Sequence, residues 1–422
     1  MRSLILCPII NQQEKKIGTS LQDSRQEFTS LCKALPYNEL IDVKSVAVKQ
    51  PRPGTFFNSG KLLEFKELIS SFVIGLVLVD YNLSPIQQRN LERVWEVKIL
   101  DRNGLILEIF ADRAKTREGV LQVRLAFLEY QKTRLVRSWT HLERQRGGIG
   151  IMAGPGESQI ESDRREISKK IIQLKKALTK IVKTRNIQRV RRLKQRIQTV
   201  ALVGYTNAGK SSVFNYLTKS TVFVKDMLFA TLDPKMKKFQ LLSGPEIILS
   251  DTVGFISDLP TQLVSAFRAT LEEVVYADLI IHVRDISHEE SEQQAEVVKK
   301  TLEELNWHNK EKPPIIEVLN KTDLLSEENL DKLRFRFANS HEKILISAKI
   351  GYGFDYLQAT VLEALKPKRI VDELFLSYEE NKKRSWLFNE KIVVSEKTKK
   401  EGFFMTVNWT ENQKYRFFSQ KK

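Results

Sequence analysis

One segment constrains this chain more than any other: an apolar run, Thr199–Val203, that passes directly into Gly204-Tyr-Thr-Asn-Ala-Gly-Lys-Ser211 and then into a helical SVFNYLT. Glycines at both ends of such a loop let backbone N–H groups close around phosphate oxygens at the start of a helix. The loop lysine, Lys210, then supplies positive charge to the outer phosphates, and the Ser211 hydroxyl is placed to ligate magnesium. A strand–loop–helix of this kind belongs to a mixed, mostly parallel sheet with helices on both faces.

Three short motifs follow in order, each after an apolar run. Ile247–Ser250 ends in Asp251-Thr252-Val253-Gly254, where a carboxylate can hold magnesium through water and Gly254 N–H can meet a γ-phosphate. Ile315–Leu319 leads to Asn320-Lys321-Thr322-Asp323. There an aspartate can accept from guanine N1–H and the N2 amine, donors that adenine lacks, while Asn320 and Lys321 brace the loop and the base. Ile344–Ile346 leads to Ser347-Ala348-Lys349, whose backbone can contact guanine O6. Together the four predict a domain over 198–366 that binds GTP and hydrolyses it. Between the first and second motifs lie two threonines that could sense a γ-phosphate through magnesium, Thr221 and Thr231. Thr231, in FATLDP ahead of an Asp-Pro turn, is the favoured one. Two residues bear on rate. Phe255 follows Gly254 where a water-orienting glutamine would serve, so intrinsic hydrolysis should be slow. For Asn207, in the phosphate loop, two readings stay open: a ligand to K⁺ near the α- and β-phosphates, or a brace for the loop.

Upstream, strand-like and helical runs alternate over 1–117: Ser45–Val48, helical Lys61–Phe72, Ile74–Asp80, a helix after Ser84 with proline in its first turn, and Val97–Leu100. They predict a small parallel α/β domain. From Glu118 the period changes. Leu121, Leu125, Leu128, Leu135, Trp139 and Leu142 form one coiled-coil seam, and Ile167, Ile171, Leu174, Leu178 and Ile181 form a second. Two such helices predict an antiparallel hairpin over 118–197. Its tip, 147–156, holds five glycines in GGIGIMAGPG, a density that suits contact with another molecule. Between Arg164 and Arg196 stand 14 lysines or arginines and one acid, Glu166. Solvated helix faces normally mix signs, so this one favours a phosphate backbone. The chain's net charge of +17 points the same way. The segment Phe57–Lys61 (FNSGK) lacks a second phosphate-loop glycine and offers little for an ATP site. Cys7 and Cys32 read as incidental thiols of a reducing compartment. With no apolar run of membrane-spanning length, the expectation is a cytoplasmic monomer with no stable membrane insertion, a peripheral membrane location staying open. Beyond Pro367, Ile392–Val394 and Phe403–Trp409 suggest strands of a small α+β unit, 367–422.

With GYTNAGKSSVFN, FATLDP and DTVGFI in hand, the chain resembles the HflX family of GTPases. FNSGKLLEF, LSPIQQRNLE, LDRNGLILEIFADRAKTREGVLQVRLA and THLERQRGGIGIMAGPGESQIESDRR extend the likeness over roughly 50–366. The resemblance implies an N-terminal α/β domain and helical hairpin fused to a Ras-like G domain. It implies binding to the 50S subunit and 70S ribosome, splitting of stalled ribosomes, and entry of the glycine loop into ribosomal RNA. A large-subunit assembly or dormancy factor, using GTP as a conformational ligand, is the alternative. The nucleotide ligands carry over as Gly204, Tyr205, Thr206, Asn207, Ala208, Gly209, Lys210 and Ser211; Phe229, Ala230, Thr231, Leu232 and Asp233; Asp251, Thr252, Val253 and Gly254; Asn320, Lys321, Thr322 and Asp323; and Ser347, Ala348 and Lys349. Magnesium would sit on Ser211 and Thr231, and Lys210, Thr231 and Gly254 would act on the γ-phosphate. Three positions depart from the family: Lys235-Met236 after switch I, Ile151-Met152-Ala153 in the glycine loop, and Arg284 within an apolar strand.

Overall fold

A computed structural model of the chain describes residues 1–10, 21–35, 38–138, 155–194, 197–220, 228–229, 231–232, 234–242, 244–257, 268–305, 307, 312–337, 342–366, 369–399 and 401–419. Tip residues 147–154, seam residues Trp139 and Leu142, and Thr221, Ala230 and Asp233 lie outside the described residues.

The first sheet is four-stranded and wholly parallel. It runs β2 (Glu39–Val48), β1 (Arg2–Ile10), β3 (Leu76–Val79), β4 (Lys98–Asp101), with all four residues of β3 buried. A strand covered on both faces reads as a continuous apolar run, which is why LVLV shows no alternation. Helices α1 (Leu21–Lys33), α2 (Ser59–Ser71), α3 (Pro85–Trp95) and α4 (Arg102–Arg113) flank it. The start of α3 is fixed locally. Ser84 Oγ accepts from Gln87 N at 3.2 Å, Gln87 Oε1 accepts from Ser84 N at 2.9 Å, and Pro85 opens the helix, a capping box. Cys7 and Cys32 are free thiols buried in this domain's core, and burial pushes Cys7 up to about 12, so both act as small apolar side chains.

Helix α5 (Arg117–Ser138) pairs with the 40-residue α6 (Pro155–Lys194). On α6 the seam lies inward: Ile171 is buried and Ile167, Leu174, Leu178 and Ile181 are half-buried. On α5 the sequence seam is only half of the matter. Leu121, Leu128 and Leu135 are half-buried and Leu125 is buried, but so are Val123 and Ala126, which join the core beneath α4. Helix α5 thus buries two faces, one on α6 and one on the α/β domain. No described helix is long and apolar enough to cross a membrane.

The second sheet has six strands in the order β10 (Lys343–Leu345), β9 (Ile315–Asn320), β8 (Leu279–Asp285), β5 (Thr199–Val203), β7 (Glu246–Asp251), β6 (Lys235–Gln240). All neighbours are parallel except β6, which runs antiparallel to β7 with Lys235 opposite Asp251. Lys235 and Met236 therefore start an edge strand. The described helices of this layer are α7 (Lys210–Thr218), α8 (Arg268–Val275), α9 (Ser291–Glu303), α10 (Glu327–Phe337) and α11 (Phe354–Ala364). Arg284 is buried in β8 with Glu317 at 3.0 Å and Glu292 at 2.9 Å. Its charge is matched inside the fold, which accounts for an arginine in an apolar strand.

The chain divides into two compact units, Met1–Thr360 and Val361–Lys422. The second contains an antiparallel sheet, β11 (Arg369–Leu376), β13 (Gly402–Thr410), β12 (Val393–Lys399), with helices α12 (Asn381–Asn389) and α13 (Glu411–Ser419). Leu376, Leu387, Ile392, Met405, Val407, Trp409 and Phe417 form its core.

Candidate nucleotide site

Strand β5 is completely buried, and its end delivers the loop 204–209 to the mouth of the sheet. Two glycines there are obligatory. Gly204 has φ +155°, and a Cβ on it would stand 2.1 Å from Val283 O; at Gly209, with φ +91°, a Cβ would stand 2.2 Å from Asn320 Nδ2. Asn207 also has a positive φ, +61°, a conformation that asparagine tolerates better than most residues. The loop therefore has its own reason for asparagine, and Asn207 also lines the pocket.

That pocket, of about 420 Å³, brings together Thr206, Asn207, Gly209, Lys210, Ser211, Phe229, Thr231, Thr252, Gly254, Asn320, Lys321, Asp323, Ala348 and Lys349 from all the motifs. Ser212 and Leu324 line it too; each directly follows a motif, which is the signal that could have found them. Gly204, Ala208, Leu232, Asp251, Val253, Thr322 and Ser347 do not line it. The base end is tied tightly. Asn320 Nδ2 donates to Ala208 O at 3.0 Å and Asn320 Oδ1 accepts from Ala348 N at 3.0 Å, so one side chain links three of the motifs. Ser347 Oγ donates to Asp323 Oδ1 at 2.5 Å, Thr322 Oγ1 donates to Ile346 O at 2.9 Å, and Lys321 Nζ stands 2.6 Å from Asp285.

At the phosphate end three oxygens converge. Ser211 Oγ lies 2.8 Å from Thr231 Oγ1 and 2.7 Å from Asp251 Oδ2, and Thr231 Oγ1 lies 3.1 Å from that same carboxylate oxygen. Thr231 thus lies against the phosphate loop. Asp251 is fully buried, and its Oδ1 has no hydrogen-bond partner among the described residues. Burial raises its pKa, an effect that the Ser211 hydroxyl and the Lys210 charge partly offset. Burial likewise lowers Lys210, to about 8, while its Nζ rests on the carbonyls of Gly204 (3.1 Å) and Tyr205 (2.7 Å). Two hydroxyls beside a carboxylate with an open oxygen are a hard-oxygen donor set, and they fit magnesium. Gly254 packs so closely that a Cβ would meet Thr206 Cα at 2.8 Å and Lys210 Nζ at 3.0 Å.

Tyr205 takes a different course. Its side chain leaves the pocket and its hydroxyl bonds Glu27 of α1, Ser257 Oγ (2.8 Å) and Ser257 N (3.0 Å). Glu27 also pairs with Arg102, which reaches Asp80 at 2.9 Å and Ser257 O at 3.3 Å. Phe229 stacks edge-on with Phe110 at 4.8 Å, and Phe255 is buried in the core shared with the α/β domain. Nothing local in the sequence marks Glu27 or Arg102.

Family models match in chain order: a GTP-binding GTPase N-terminal model over 22–111, a GTP-binding GTPase middle region over 113–192, and a 50S ribosome-binding GTPase model over 199–321. The GTPase HflX of Magnetococcus marinus is 48% identical over 334 residues, covering 79% of this chain and 74% of that one. The chain belongs to the HflX family. The HflX GTPase of Escherichia coli is 41% identical, over 89% of this chain and 87% of that one. Among solved structures, a GTP-binding protein of Sulfolobus solfataricus in complex with GDP is 24% identical, with 86% and 98% covered and a TM-score of 0.45. As an HflX protein the chain is a P-loop GTPase that hydrolyses GTP.

Proposed function

We propose that this GTPase binds the large ribosomal subunit and the 70S ribosome and splits stalled or idle ribosomes, with hydrolysis stimulated by the ribosome. The reading takes its direction from the 50S ribosome-binding description of the model matching 199–321. The observation that carries it is the joint between hairpin and switch. Arg185 on α6 pairs with Glu118 at the start of α5 and lies 3.9 Å from both Glu272 and Glu273 on α8. Arg189 adds Glu273 at 3.5 Å and covers the Tyr276 ring at 3.6 Å. Helix α8 follows the Asp251–Gly254 segment in the chain. A shift of that segment on γ-phosphate loss would be felt at the root of the basic hairpin.

In this reading Lys210 holds the outer phosphates, Gly254 N–H meets the γ-phosphate, and Asp323 accepts from guanine N1–H and N2. Ser211 and Thr231 would ligate magnesium, with Asp251 holding it through water. A magnesium ion there would neutralise charge on the β- and γ-phosphate oxygens. Phe255 has no group to hold the attacking water, so an outside partner completes the site. The glycine tip and the acid-poor stretch of α6 from Arg164 onward would meet ribosomal RNA, K⁺ on Asn207 is an added element, and the protein would act as a cytoplasmic monomer.

Sedimentation with 70S particles in GTP, GDP and a non-hydrolysable GTP analogue provides the test. The reading expects the analogue to release free subunits, and GDP to leave 70S intact. Retention of intact 70S with the analogue would favour the assembly or dormancy role. Co-migration that ignores nucleotide would remove the switch.

A further inference from the structure

The C-terminal sheet has two unlike faces. Helices α12 and α13 cover one, where Met405, Val407 and Trp409 meet Leu387 and Phe417. On the other face strand alternation places Arg369, Val371, Glu373 and Phe375 of β11, Phe404, Thr406, Asn408 and Thr410 of β13, and Ser395, Lys397 and Lys399 of β12. Phe375, Phe404 and Lys397 share one row across the three strands. The two rings lie 4.9 Å apart, are 48% and 39% exposed, and Lys399 Nζ stands 4.3 Å from the Phe404 centroid. Glu373 is the single carboxylate among these outward residues.

We propose that this face binds single-stranded RNA, with two adjacent bases stacked on Phe375 and Phe404 and their phosphates met by Lys397 and Lys399. Phenylalanine offers a π-face but no hydrogen bond, so such a surface takes any base that is free to leave its stack. A duplex hides its base faces and cannot use the rings. The lysine over the ring separates RNA from a protein occupant, because lysine is depleted at protein-interface cores. The inference is independent of the ribosome reading, since short oligonucleotides test it.

The full-length chain is titrated by fluorescence anisotropy against an eight-nucleotide adenine oligoribonucleotide and a 16-base-pair RNA duplex, at two salt concentrations. Phe375→Ala with Phe404→Ala should weaken the single strand roughly tenfold or more, from stacking values per base, and leave the duplex within about twofold. Phe404→Trp should hold or improve single-strand binding. Lys397→Glu with Lys399→Glu should lower the salt slope. Ultraviolet crosslinking should attach RNA to the peptide carrying Phe404, a readout on the unaltered chain. Equal loss for strand and duplex, or no loss for either without a crosslink, would overturn the proposal. Intact RNA binding with loss of a bound ribosomal protein would assign the face to protein and equally overturn it.

Discussion

Two buried aspartates end parallel strands in this molecule, one in the four-stranded and one in the six-stranded sheet, and they are treated in opposite ways. Asp101 ends β4 in the N-terminal domain. Its Oδ1 accepts from Gly104 N at 2.8 Å and Tyr130 Oη at 2.7 Å, and its Oδ2 meets Arg134 Nη2 at 2.5 Å. Asp251 ends β7 in the G domain. Its Oδ2 takes two hydroxyls, and its Oδ1 takes no hydrogen bond from any described residue. The first carboxylate is satisfied by its own fold and serves as a helix cap and an anchor for α5. The second is buried at a cost that its own neighbours do not fully offset, which is what a site awaiting a cation looks like. Sheet architecture alone would not tell them apart.

Exchanging each aspartate sharpens this contrast, because the two changes should fail in different assays. Asp251→Asn should cut GTP hydrolysis by about a hundredfold or more, read as single-turnover phosphate release, while the thermal midpoint holds or rises. Asp101→Asn should do the reverse. Breaking a buried charged network costs about 3–5 kcal/mol, to be seen in urea unfolding, with GDP affinity unchanged in the protein that stays folded. If Asp101→Asn abolished nucleotide binding in folded protein, the contrast would be wrong.

Next in size is the base. Asp323→Asn turns an acceptor towards guanine into a mixed donor and acceptor, and should weaken GTP by about 2–3 kcal/mol. Xanthine nucleotides, which carry a carbonyl where guanine has its amine, should gain relative to GTP. Competition titration measures both.

The effect that is smallest at neutral pH is one that grows with acidity. His282 is buried in β8 beside β5, and burial lowers its pKa to about 4 from 6.5. A histidine depressed on folding is kept neutral by the fold, so its contribution is whole above pH 6.5. It is lost as pH falls from 6.5 towards 4, up to about 3 kcal/mol in all. His282→Gln should flatten the stability curve over that window; an unchanged slope would place the acid sensitivity elsewhere.

What could be read beforehand follows from how local each signal is. The phosphate loop, Asp251–Gly254, Asn320–Asp323 and Ser347–Lys349 are short runs whose chemistry depends on backbone shape at strand ends. Their convergence was legible, Thr231 beside Ser211 included. The seam of α6 was legible because it buries one stripe. Helix α5 was legible only in part, since its second buried face, Val123 and Ala126, answers to α4 rather than to a heptad partner. The course of the Tyr205 side chain was not legible for the same reason. Motif position put it with the nucleotide, but its hydroxyl is claimed by Glu27, 178 residues away. Arg284 looked anomalous until Glu317 and Glu292 stood beside it. Each of these depends on a partner that spacing along the chain does not reveal.

The account stands on Ser211, Thr231 and Asp251 forming a magnesium-dependent site whose base end selects guanine. Calorimetric titration with non-hydrolysable analogues of GTP and ATP, each in magnesium and in EDTA, addresses that directly. The prediction is tight guanine binding that weakens at least tenfold in EDTA, with adenine binding on the order of a thousandfold weaker. Equal affinity for the two bases, or guanine binding indifferent to magnesium, would contradict it.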